Sequence, residues 1–168
     1  MQRNIIILIL ILLLTTAIAV NAQQPTPATT ATTITISGRV TDGRQLAALQ
    51  RLEAMQPDSI GPKYQQASLL LGTVCTNPKD SKAQQYIDEA QRIIGKIEAL
   101  KPQRAADRSD LATLRGFYYT AVIVTDPLQN GPRYYRQALG NFDEALKLNP
   151  DNKMARMLQQ RFMQGMQQ

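Results

Sequence analysis

Histidine and tryptophan are absent from this chain of 168 residues, and cysteine occurs once. Without histidine there is no imidazole metal site and no Ser-His-Asp or Cys-His nucleophile. A single cysteine allows no intrachain disulfide. No run of five or six like charges occurs either, although Lys and Arg outnumber Asp and Glu by 19 to 13, for a formal charge of +6. Interleaved signs describe a solvated surface, so no nucleic-acid partner is expected. With these groups missing, no catalytic residue, cofactor or metal ligand is assigned, and a non-enzymatic role is expected. The length suits one domain.

What is present begins with Met1-Gln2-Arg3-Asn4, an unbroken apolar run from Ile5 to Leu14, and a small-residue end at Val20-Asn21-Ala22. One positive charge, a short apolar core and that ending read as a secretory signal peptide over 1–22, cleaved after Ala22. Export to the periplasm or the medium follows. Ile5 to Val20 is nearly long enough to serve instead as an uncleaved anchor, since a bilayer needs about 20 residues. After cleavage no membrane span is expected. Residues 23–41 open with Gln-Gln-Pro-Thr-Pro-Ala-Thr-Thr and form a Pro/Thr/Ala-rich flexible linker. The alternation from Ile34 to Gly43 would suit one edge strand, but a lone strand has no sheet to join, so an extended arm is the reading.

From residue 42 onward one ending recurs. Arg51-Leu52-Glu53-Ala54-Met55-Gln56-Pro57 is echoed by Lys96-Ile97-Glu98-Ala99-Leu100-Lys101-Pro102, and more loosely by Asp143-Glu144-Ala145-Leu146-Lys147-Leu148-Asn149-Pro150. Proline cannot continue a helix and pushes its predecessor out of the helical region, so each unit turns where its proline stands. Ala83, Tyr86, Ile87, Ala90, Ile94 and Ile97 fall three and four apart, as do Tyr135, Ala138, Leu139, Phe142, Ala145 and Leu146: two amphipathic helices. Partner helices are predicted at Ile60–Val74 and Arg108–Val124, closing at Asn77-Pro78 and Asp126-Pro127. Arg44–Met55 and Asp151–Met166 would cap the two ends, with Asp151 as N-cap of the last. The fold expected over 42–168 is all-α, a short α-solenoid of antiparallel helix hairpins with capping helices.

The spacing Ala138, Phe142, Ala145, Pro150, preceded by Gly116 and Tyr119, resembles the signature of the tetratricopeptide (TPR) repeat family. The match is best over 109–150 and weaker over 64–102, where Ala90, Ile94, Ile97 and Pro102 keep the spacing. Between Tyr119 and Ala138 the chain is about ten residues longer than the usual unit of about 34. That excess is expected to lengthen the first helix and open a loop at 125–132. The resemblance implies a concave groove lined by first helices, here Tyr64, Ser68 and Leu71, then Thr113, Phe117 and Thr120. The family's carboxylate clamp needs Lys and Asn where this chain has Thr113, Phe117 and Ala121, so an apolar or mixed peptide is the implied ligand.

The function read from this is an exported adaptor that binds a protein or peptide partner. An alternative is a structural subunit that docks its basic last helix, with Met154, Met157, Met163 and Met166, on a membrane or envelope complex. A carboxylate-only hydrolase is the third. Its candidate acids have structural explanations: Asp88–Arg92 and Asp143–Lys147 as pairs four apart on helix surfaces, Asp107 and Asp110 at a helix start. Cys75 stands in Leu69-Leu70-Leu71-Gly72-Thr73-Val74-Cys75 and reads as buried. Tyr119 and Tyr135 are assigned to the core, Tyr118 and Tyr134 to the surface.

Overall fold

The structure is a computed structural model and describes residues 43–166. The segments expected from the sequence to be a signal peptide (1–22) and a linker or extended arm (23–41) lie outside the described residues. Six helices run in order: α1 Gly43–Met55, α2 Ile60–Thr76, α3 Ala83–Ala99, α4 Ala105–Thr125, α5 Pro127–Leu148 and α6 Lys153–Gly165. There is no strand among the described residues, so the fold is all-α.

Each repeated ending is a helix terminus. After α1 the Gln56 amide bonds back to the Leu52 carbonyl at 2.9 Å, and Pro57 then stops the helix. After α5 the Asn149 amide bonds to the Ala145 carbonyl at 3.0 Å, just before Pro150. At the end of α3, Lys101 takes a left-handed conformation with φ 49°, directly before Pro102. This is the usual place of glycine after a helix, and Lys holds it against steric cost.

The largest departure from expectation is at 125–132. There is no loop there: α5 starts at Pro127. Asp126 is its N-cap, accepting from the Gln129 amide at 3.2 Å, and Pro127 holds the first helical position, where its missing N–H costs nothing. Pro132 lies inside the helix and removes one hydrogen bond there. The Asn130 side-chain amide donates to the Val122 carbonyl at 2.8 Å and ties this first turn to the end of α4. The extra residues have thus lengthened both helices of the pair.

Packing follows the order of the chain. α1 lies on α2, α2 on α3 and α4, and α3 also on α4; α4 packs on α5 and α6, and α5 on α6. One apolar cluster runs through the joints, with Leu70, Leu71 and Val74 from α2, Ile87, Ile93 and Ile97 from α3, Leu114 and Phe117 from α4, Phe142 from α5 and Phe162 from α6. A buried Leu, Ile or Phe contributes about 1.5–3 kcal/mol relative to exposure, so the hydrophobic effect in these joints is the main stabilising force. No helix among the described residues is long and apolar enough to cross a membrane.

Candidate functional site

Tyr64, Ser68 and Leu71 lie four and three apart on α2, and Thr113, Phe117 and Thr120 do the same on α4, so each trio shares a helix face. Because α2 and α4 pack directly on each other, most of the six are interior. Ser68 is 2% exposed, Leu71 0%, Thr113 0% and Phe117 6%. These four correct the expected groove: they are core residues, not an open lining. Leu71 and Phe117 belong to the central apolar cluster, and Thr113 is covered by Asn152, whose amide donates to its hydroxyl at 3.2 Å. Tyr64 and Thr120 remain half-buried. The Thr120 hydroxyl donates to the Gly116 carbonyl of its own helix at 2.9 Å.

Tyr64 edges a depression of about 370 Å³ where α2 and α4 begin, together with Asp58, Gln65, Arg104, Asp107 and Asp110. Burial pushes the Tyr64 phenol well above its ordinary value, and the nearby Asp110 carboxylate adds to this; a hydrogen bond with Ser68 opposes both. Burial also raises Asp110 itself, with Asp107 contributing, against the Asn152 amide and Arg104. Arg104 forks onto Asp107 at 2.6 and 2.7 Å.

The signature residues converge in one joint. Ala138, Phe142 and Ala145 are fully buried on α5, and Gly116 faces them from α4. A methyl group at Gly116 would lie 2.6 Å from the Phe142 ring, so hydrogen is the only side chain that fits. Tyr119 stacks on Tyr134 with centroids 5.6 Å apart, and Tyr118 meets Tyr119 edge-on at 5.4 Å. Tyr118 and Tyr134 are therefore half-buried members of a row of rings, not free surface side chains, and Tyr119 and Tyr135 are half-buried too. The Tyr118 hydroxyl reaches Gln91 of α3 at 3.2 Å. Pro150 is exposed in the turn before α6.

Two polar knots hold the helices and were invisible to periodicity. In the first, Asn152 is the N-cap of α6, in place of Asp151, and accepts from the Ala155 amide at 3.0 Å. Its own amide donates to Ser109 at 2.9 Å and to Asp110 at 3.1 Å, while Ser109 donates to the Ala145 carbonyl at 2.8 Å. Asn152 thus ties α6 to α4, and Ser109 carries the link on to α5. In the second, Glu53 of α1 accepts from Gln66 of α2 at 2.8 Å and from Lys96 of α3 at 2.7 Å, with the buried Lys63 ammonium 4.0 Å away. Burial alone would raise the Glu53 carboxyl, but the Lys96, Gln66 and Lys63 contacts together hold it below its ordinary value.

The expected surface pairs are replaced by others. Arg92 bonds Glu89, three residues before it, and Asp88 accepts from Gln84 at 2.8 Å. Asp143 accepts from Gln159 of α6 at 2.6 Å. Cys75 is half-buried, and burial pushes its thiol up to about 12, so it is protonated at neutral pH. Set against known protein families, curated proteins and solved structures, the chain matches none of them.

Proposed function

We propose that this chain is an exported, non-enzymatic holder of a protein partner, built as a short TPR-like stack of helix hairpins with α1 and α6 at its ends. The observation that carries this reading is the joint between Gly116 and Phe142, in which the residues of the repeat signature meet across α4 and α5 at a separation only glycine permits. The order of packing, each helix against its near neighbours in the chain, is what a stack of such hairpins requires. α1 ends on the same motif as α3 and α5 and so takes the place of a second helix.

The half-buried acids support holding over hydrolysis. Glu53 and Asp110 are each engaged by donors from other helices, so both carboxylates serve to lock the stack. With Ser68, Leu71, Thr113 and Phe117 inside the core, a partner would meet the margin of the α2–α4 face, at Tyr64 and its depression and at Thr120. Site-specific photo-cross-linking in cells tests this. A photoreactive residue at Tyr64 or Thr120 should capture a discrete protein, whereas one at Gln160 on α6 should not. Capture from Gln160 alone would overturn the reading. Sequencing the N-terminus of the exported protein tests the accompanying proposal, which requires Gln23 as the first residue.

A further inference from the structure

Charge is unevenly spent along the helices. The ion pairs among the described residues join Lys63 and Lys96 to Glu53, Arg92 to Glu89, Arg104 to Asp107 and Arg115 to Glu98. All lie at or before Arg115. α6 carries Lys153, Arg156 and Arg161 and no acidic residue at all. None of the three is in an ion pair: Arg156 donates to the Pro150 carbonyl, and Lys153 and Arg161 have no partner among the described residues.

The stripe that α6 buries is Ala155, Leu158 and Phe162. At about 100° per residue, Lys153, Arg156, Gln160 and Gln164 point to the opposite side, with Arg161 at its flank. All five are exposed. Met163, seven residues after Arg156, shares that edge, and Met163 and Met166 are 39% and 46% exposed. Met154 and Met157 are packed against the core, so the four methionines do not form a docking surface of their own.

We propose that this face of α6 docks on an anionic lipid surface, with Lys153, Arg156 and Arg161 over the headgroups. The cations are spread along about 12 Å of one helix, whose only aromatic ring, Phe162, is buried. A nucleic-acid strand would find no stacking platform there. A folded acidic protein would need its carboxylates fixed in matching register. Anionic lipids diffuse laterally and gather beneath separated cations, and the thioethers of Met163 and Met166 can rest at headgroup level. The buried stripe stays in the core throughout, so the contact is peripheral. It is independent of the partner-holding reading.

Co-sedimentation of the exported protein with vesicles tests the proposal, comparing phosphatidylcholine vesicles containing phosphatidylglycerol with phosphatidylcholine alone. The expected result is a preference for the anionic vesicles that falls as salt is added. Each of Lys153→Gln, Arg156→Gln and Arg161→Gln should weaken it about fivefold, and the triple variant on the order of a hundredfold. The single variants keep the test open should the triple variant melt. Arg133→Gln with Arg136→Gln, exposed cations of α5, should leave the preference unchanged. Three results would overturn the proposal: no anionic preference in the parent chain, an equal loss from the α5 pair, or retention on polyaspartate without vesicle binding.

Discussion

Phe142 and Gly116 illustrate how one residue dictates another at a distance in the chain. Phe142 is wholly buried, so Phe142→Ala should cost about 3–5 kcal/mol in chemical denaturation. A loss under about 1 kcal/mol would mean that the ring locks nothing. Lys101 offers the opposite kind of change: replacing a left-handed Lys by Gly should stabilise the protein by about 1 kcal/mol, and any loss of stability would contradict the strain assigned to its φ of 49°. Phe142 is legible in the sequence from the apolar spacing of its helix, and Gly116 only through the resemblance to the repeat signature. Asn152 is not. Its partners Ser109, Asp110 and Thr113 lie in another helix, and a cap that reaches so far back leaves no period to read.

Among the elements, helix existence was legible from proline endings and apolar spacing, and the bounds moved by only a few residues. α2 runs to Thr76 where Val74 was expected, and α4 spans Ala105–Thr125 where Arg108–Val124 was expected. The start of α5 was misread because Asn130-Gly131-Pro132 has the composition of a turn, while the cap at Asp126 and the bond from Asn130 to Val122 make it helix. The groove was misread for a different reason: helical spacing identifies a face but not what covers it.

The two knots make elements respond to pH in opposite directions. The Glu53 carboxyl is depressed, so the stability it contributes is present above the ordinary carboxylate value of about 4 and is lost as pH falls through its lower folded value. Asp110 is raised, so the native state binds its proton more readily than the unfolded chain. Stability from this group therefore grows as pH falls from neutral through the raised value. Melting curves against pH should lose the acid-side decline in Glu53→Gln and the gain in Asp110→Asn; unchanged profiles would contradict both assignments. Removing residues 151–168 takes away α6, exposing Phe142 and Tyr135 where Phe162 covers them, and should produce aggregation or a lower Tm. A truncated chain as soluble and stable as the parent would show that α6 is no cap.

At the scale of the molecule each helix packs on its near neighbours in the chain, so the proposed stack would gain its stability joint by joint. The α4–α5 joint is the most extensive of these and carries the repeat signature, so the proposed stack stands or falls there. A double-mutant cycle on Gly116→Ala and Phe142→Leu measures it. Alone, Gly116→Ala should destabilise by about 1–3 kcal/mol, because the added methyl is driven into the ring. In the Phe142→Leu background it should be neutral or slightly stabilising, since Ala favours helix over Gly by about 1 kcal/mol. A coupling of about 1 kcal/mol or more is the predicted result. An equal cost in both backgrounds would contradict the hairpin geometry and, with it, the TPR-like stack.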